Sequence, residues 1–223
     1  MEIKEQLQEI KTKLRLSMNG VVSQSMREKG LAYKLNFGVE LPRIKEIADG
    51  YEKNHDLAQA LWKEDVRELK ILAGFLQPID SFYPDIADIW VENIHNPEIA
   101  EITCMSLFQY LPYAADKAFQ WMADEREYFQ LCGFLLIARL LAKGSDLNDR
   151  AEAEFLDQAL AAVQSSELIL PRNAAILALK KFGTQSETNA KKLVKQINAF
   201  RHSGNADLRA AYEEIRFEIE YLL

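Results

Sequence analysis

Apolar residues recur at helical spacing through almost the whole chain, and the breaks in that pattern coincide with Pro, Asn and Gly. Ile3, Leu7, Ile10 and Leu14 make one apolar face. Leu41-Pro42 opens a second helix with Pro in its first turn, followed by Ile44, Ile47 and Ala48. Residues 55–62 form a short helix. Asp65 caps the next, with Glu68 three residues on as in a capping box, and Pro78 stops it. Tyr83-Pro84 and Asn96-Pro97 open two more, and 113–122 follows Pro112. Residues 125–142 form a long apolar helix closed by Lys143 and a C′ glycine, Gly144. Helices over 147–164, 171–182, 187–200 and 206–223 complete about twelve. Period-2 runs of Val, Ile and Thr are missing.

Composition supports this reading. Gly and Pro together number 15 of 223, against an average share of roughly 12%. An all-β sandwich or barrel needs a turn every 8–12 residues or so, and this chain lacks the residues for them. Hydrophobic residues at 48% and charged residues at 27% exclude a disordered chain. The helices come in pairs with short polar joints, each pair spanning about 35–40 residues, which is the period of a HEAT-like or armadillo-like helical-hairpin repeat. The expected fold is an all-α superhelix of such repeats, as a single domain over 1–223, with a compact helical bundle as the rival.

The two cysteines, Cys104 and Cys132, lie in apolar context and read as buried thiols in a reducing compartment. Residues 1–13 are charged and amphipathic, unlike a signal peptide, and no apolar run approaches 18 residues. The expectation is a cytoplasmic protein without a membrane partner.

The net charge of −7 argues at first against a polyanionic partner. Its distribution changes that. Residues 1–47 hold nine Lys/Arg and six Asp/Glu, 48–169 hold nine and twenty-two, and 170–223 hold nine and six. In the last segment Arg172, Lys180, Lys181, Lys191, Lys192, Lys195 and Arg201 are opposed only by Glu187. Surface potentials are local at a Debye length of about 8 Å, so such a block can contact phosphate on an acidic protein. It reads equally as a solvated face with cations near a helix C-terminus. Aromatic residues that would stack bases are scarce there.

No catalytic motif stands out. His55, His95 and His202 make no metal-ligand spacing, and His95 at a helix junction suits a structural hydrogen bond. P-loop, GxGxxG, GxSxG and CxxC patterns are missing, so neither a cofactor nor a metal is implied.

Residues 30–48, GLAYKLNFGVELPRIKEIA, resemble the opening segment of the DNA alkylation repair family in their Phe37-Gly38-Val39, the Pro42 that follows and the helix after it. Ala60-Leu61-Trp62 with residues 67–73, and Pro171-Arg172-Asn173 with the helix to Lys180, resemble later helices of that family. The resemblance covers about residues 15–200. It implies HEAT-like-repeat DNA glycosylases that excise cationic alkylated purines, with DNA on a concave face. In active members a Trp and an Asp four residues apart, and an Arg on a later helix, face the base. Here the pair falls on Ile99 and Thr103, the Arg on Gln130 or Leu131, and a later Trp and Arg on Leu177 and Lys180. Glu101 is the acid nearest the missing Asp.

The resulting expectation is a family member with a degenerate glycosylase site that binds DNA non-catalytically through Arg172, Lys180, Lys181, Lys191, Lys192 and Lys195. The alternatives are an active alkylpurine glycosylase using Glu101, or a scaffold for a protein partner.

Overall fold

The computed structural model describes residues 2–31, 33–165 and 167–223. Ala32, within the segment that carries the resemblance, lies outside them. Thirteen α-helices form among the described residues, and no strand. Two compact units divide the chain at Leu111 and Pro112.

The first unit contains α1 (Ile3–Leu16), α2 (Gly20–Glu28), α3 (Leu41–Ala48), α4 (His55–Trp62), α5 (Arg67–Leu76), α6 (Pro84–Glu92) and α7 (Pro97–Ser106). Proline stands in the first turn of α3, α6 and α7, where its missing N–H costs no hydrogen bond. Asn54 and Asn96 cap α4 and α7 with their side chains. α4 and α5 pack as a pair, and α5 packs on both α3 and α7. Ile10, Leu14, Ile44, Leu57, Leu61 and Leu72 are fully buried between these helices. An aromatic cluster extends the core. The Trp62 and Trp90 rings stack at 4.0 Å, and Phe82 meets Trp90 edge-on at 4.9 Å.

The second unit contains α8 (Ala114–Met122), α9 (Glu127–Ala142), α10 (Asp149–Gln164), α11 (Ile169–Gly183), α12 (Glu187–Arg201) and α13 (Ala206–Ile219). Hairpins α8–α9, α10–α11 and α12–α13 each pack internally, and the second helices also stack on one another, α9 on α11 and α11 on α13. That stacking explains why α9 is apolar nearly all round: residues 131–138 are buried without a break. At Gly133 a Cβ would lie 2.4 Å from the Met122 backbone nitrogen, so the α8–α9 approach requires glycine there. Gly144, at φ +84°, ends α9 as expected, with the Ser145 N–H donating to the Leu140 carbonyl at 3.0 Å.

Three sequence expectations differ from the structure. α2 escaped the periodicity because only Ser23 of its nine residues is buried. The alternate helices α4, α6, α8, α10 and α12 begin at residues 55, 84, 114, 149 and 187, so the period is 29–38 residues, tighter than expected at its N-terminal end. Finally, Asp65 and Glu68 do not cap α5. Val66 holds the cap position without a side-chain bond, and Glu68 turns inward.

Glu68 is fully buried, and its carboxylate accepts the backbone N–H groups of Phe37 at 3.0 Å and Val39 at 3.2 Å. Arg67, 3% exposed, clamps the same segment. Its guanidinium donates to the Val39 carbonyl at 2.8 Å, to Glu68 at 3.0 Å, and in a two-pronged contact to Glu98 at 2.8 and 2.5 Å. Tyr33 donates its hydroxyl to Glu98 as well. From the other side, the Asn19 N–H donates to the Phe37 carbonyl at 2.9 Å. Gly38 sits between, at φ +69°, where a Cβ would come 2.1 Å from the Asn19 carbonyl oxygen. The Phe-Gly-Val motif is therefore a backbone threaded between α2 and a buried ion network.

Removing one partner of a buried ion pair typically costs about 3–5 kcal/mol. Arg67→Met should lower unfolding stability by an amount of that order, measured by urea denaturation. Glu98 adds a pH signature. Burial pushes its pKa up, but the hydrogen bonds from Arg67 and Tyr33 and the guanidinium charge outweigh burial and hold it below the ordinary 4.5. A carboxylate whose pKa is lower when folded contributes stability above its unfolded pKa and loses it as the pH falls through the folded value. The urea midpoint should thus fall below about pH 4.5 more steeply in the native chain than in Glu98→Gln. Equal slopes would contradict this.

Candidate nucleic-acid interface

The basic residues singled out in the sequence lie on α11 and α12. Arg172, on α11, pairs with Asp207 of α13 at 3.3 Å and is largely covered. Lys180, also on α11, pairs with Glu214 at 3.0 Å and Glu218 at 3.8 Å, both on α13. Lys181 is half-buried beside Asp146 and Gln185. On α12, Lys191 pairs with Glu187, and Lys192 reaches Glu152 of α10 at 2.7 Å. Lys195 is exposed. Among the described residues neither Lys181 nor Lys195 has an ion-pair partner. Acids from α10 and α13, remote in sequence, thus offset much of the block's local charge. The block also divides: Arg172 and Lys180 turn towards α13, while Lys191, Lys192 and Lys195 keep exposed heads on α12.

The positions that the resemblance assigns to a glycosylase site are apolar or occupied. Ile99 and Thr103 are buried in α7, at 2% and 1% exposure. Leu131 is buried in α9. Gln130 lines a cavity of about 380 Å³ with Gln158 and Glu125, but its amide donates to the Asp124 carbonyl at 2.6 Å. Leu177 is exposed on α11. Glu101 is the exposed residue in a stretch of α7 that is otherwise buried from Ile99 to Cys104. None of these positions brings a carboxylate and an aromatic face together.

A polar cleft that the sequence reading missed lies in the first unit. Two adjoining cavities, of about 310 and 450 Å³, share Asp65, Lys70, Asn93 and His95. Tyr33, Lys34, Arg67 and Ile99 wall one side, and Trp62, Lys63, Ile89 and Trp90 wall the other. Arg67 is neutralised by Glu68 and Glu98. Lys34, Lys63 and Lys70 have no ion-pair partner among the described residues. The Lys70 ammonium donates to the Trp62 carbonyl at 3.0 Å and sits 4.6 Å above the Trp62 ring. Burial pulls its pKa below the ordinary 10.5, against the opposing pull of Asp65. His95, expected to make a structural hydrogen bond, is instead exposed at the cleft without one among the described residues. The sequence held a signal for this cleft. Of the nine cations in the acidic stretch 48–169, Lys63, Arg67 and Lys70 fall within eight residues, but the segment's net charge hides them.

Cys104 and Cys132 are buried, as expected, and form no disulfide. Among the described residues no group of three or more His, Cys, Asp or Glu is placed to hold a metal ion, and no helix is long and apolar enough to cross a membrane.

Lys70 should titrate apart from the surface lysines. In a chain methylated on its lysines with ¹³C, one resonance should titrate below the others and vanish in Lys70→Arg. A single shared titration would contradict the desolvation described above.

Comparison with known proteins follows the fold. The sequence model of the DNA alkylation repair enzyme family matches residues 10–214. A solved structure, described as "A new family of proteins related to the HEAT-like repeat DNA glycosylases with affinity for branched DNA structures", superposes with a TM-score of 0.80. It is 19% identical, and the alignment covers 99% of this chain and 95% of that one. A search of curated proteins finds no match. The fold is accordingly that of the HEAT-like repeat DNA glycosylases, and the chain belongs to the DNA alkylation repair family.

Proposed function

We propose that this member of the DNA alkylation repair family binds DNA without excising bases, with branched DNA as its preferred form. The observation that carries the reading is the pairing of family membership over residues 10–214 with an apolar Ile99 and a buried Thr103 at the positions that the resemblance assigns to the Trp and Asp of active members. Excision of a cationic purine needs a carboxylate to stabilise the developing sugar cation. Thr103 cannot supply that charge. The affinity for branched DNA described for the structural relative supports the preferred substrate.

In this reading residues 1–223 act as one HEAT-like repeat domain in the cytoplasm. Lys181, Lys191, Lys192 and Lys195 supply phosphate contacts, with Arg172 and Lys180 released from α13 acids where DNA competes for them. Backbone contacts of this kind give sequence-independent, salt-sensitive binding. That suits a protein that recognises the shape of DNA. Protein partners are compatible with the same surfaces but have no observation of their own in support.

Anisotropy with a labelled four-way junction and a matched duplex at low salt tests the proposal. The junction should bind tighter. Lys192→Glu with Lys195→Glu should weaken both, and the slope of log K against log salt should drop by about one per lost phosphate contact. Alkylated DNA should release no methylpurine above a heat-inactivated control. Binding unaffected by the double variant would remove α12 from the interface, and no binding to either DNA would overturn the function. Base release that Glu101→Gln abolishes would restore the enzyme reading.

A further inference from the structure

The cleft in the first unit differs from the α11–α12 block, where most cations are ion-paired: its lysines make no ion pair among the described residues and outnumber the carboxylate they face. Lys34, Lys63 and Lys70 face one carboxylate, Asp65, since Arg67 is already satisfied by Glu68 and Glu98. Three ammonium groups against one carboxylate leave a formal excess of two positive charges. Lys63 and Lys70 stand in a stretch, 48–169, that has more than twice as many acids as bases. A second observation points to a missing acceptor. Trp62 is 4% exposed, walls the cleft, and its indole N–H has no hydrogen-bond partner. Buried polar groups are nearly always paired, so an orphan beside a cleft marks a place where an acceptor belongs.

Two cavities of about 310 and 450 Å³ fall within the usual range of ligand sites, roughly 300–1,000 Å³. Trp62, Trp90 and Ile89 give the cleft an apolar side, while Lys70 and His95 give it a polar one. The amide groups of Asn93 and Asn96 are committed in part. Asn93 donates to the Ile89 carbonyl at 2.8 Å, and Asn96 caps the Glu98 N–H at 3.1 Å. The donors left over are the lysines, the imidazole of His95, the Trp62 N–H and the remaining amide N–H groups of Asn93 and Asn96.

We infer that this cleft binds the terminal phosphate of a DNA strand. The inference rests on the DNA-binding reading and adds a strand-end site to it. A phosphate monoester carries a charge of about −1.5 to −2 at neutral pH, which matches the excess of two; a diester in the middle of a strand carries only one negative charge. The monoester's terminal oxygens accept from several ammonium groups at once through short, charge-assisted bonds. The terminal sugar and base then lie against Ile89 and the tryptophan wall. Lys70 is the central contact: its ammonium lies over the Trp62 ring and is shared by both cavities.

The test uses the whole chain and four probes: inorganic phosphate, and one single-stranded oligonucleotide carrying 5′-phosphate, 3′-phosphate or hydroxyls at both ends. Anisotropy of an internal label reads oligonucleotide binding, and tryptophan emission reads the movement of Lys70 from Trp62. At least one phosphorylated form should bind about tenfold tighter than the hydroxyl form, about 1.4 kcal/mol, and the 5′ and 3′ arms show which end is read. Lys70→Gln should abolish that preference, so that the phosphorylated forms bind no tighter than the hydroxyl form. Lys34→Gln, at an exposed position, should reduce the preference. Equal binding of all three oligonucleotides, or a preference that survives both substitutions, overturns the inference while leaving DNA binding through α12 standing. If no oligonucleotide or junction binds, the DNA reading fails, and inorganic phosphate decides the cleft alone. An emission change lost in Lys70→Gln supports a phosphate site; no emission change overturns it.

Discussion

A guanidinium sealed between two carboxylates holds the first unit together. Arg67 cannot shed its proton, and burial strips its water, so every donor it presents must find an acceptor inside the protein. Glu68, Glu98 and the Val39 carbonyl supply them. Burial alone would draw the Arg67 pKa down, but the two carboxylates more than compensate and raise it. Tyr33 is pushed up in turn by its burial and by the Glu98 charge, so its hydroxyl stays protonated and serves as a donor. The network fixes three elements in one stroke: the N-terminal end of α5, the N-terminal end of α7, and the extended backbone from Leu35 to Val39, which also receives the Arg67 N–H at the Leu35 carbonyl. It forms one wall of the cleft as well. The same charges that order the fold keep Arg67 out of ligand binding and leave that work to the lysines.

The helices were legible because burial imposes the 3.6-residue period on their sequences. α1, α3 and α9 carry apolar faces that match the buried positions, and proline and asparagine mark helix starts by simple backbone chemistry. α2 was illegible for the converse reason: it buries one serine and so imprints no period. Glu68 misled in a more instructive way. Its spacing from Asp65 fits a capping box, but spacing cannot reveal that a backbone 30 residues earlier offers two N–H groups to the same carboxylate. The family resemblance at Phe37-Gly38-Val39 marked this place correctly without disclosing its cause, which is the positive φ of Gly38 and the close approach of Asn19.

Charge was the least legible feature, because linear counts do not know which side chains meet. The block from Arg172 to Arg201 has a strong positive excess in sequence, yet Glu152, Asp207, Glu214 and Glu218 fold against it. The exposed Lys191–Glu187 pair is of the weak kind, typically worth about 0–1 kcal/mol, whereas Arg172 and Lys180 are largely covered in theirs. The reverse holds at the cleft. There an acidic segment conceals Lys63 and Lys70, which with Lys34 face a single carboxylate, Asp65. At the positions that the resemblance assigns to the glycosylase Trp and Asp, Ile99 and Thr103 supply neither a charge nor an aromatic face in any packing.

The central claim is that this fold has kept DNA as its ligand while losing the chemistry of base excision. Backbone amide shifts of ¹⁵N-labelled protein titrated with a four-way junction whose strands carry terminal phosphates test it most directly. The account predicts saturable shifts at α12 around Lys192 and Lys195 and around the cleft at Lys34, Lys70 and His95, with α1 and the core of α9 unmoved. A junction that shifts neither region, at a salt concentration low enough for any phosphate contact to form, would contradict it.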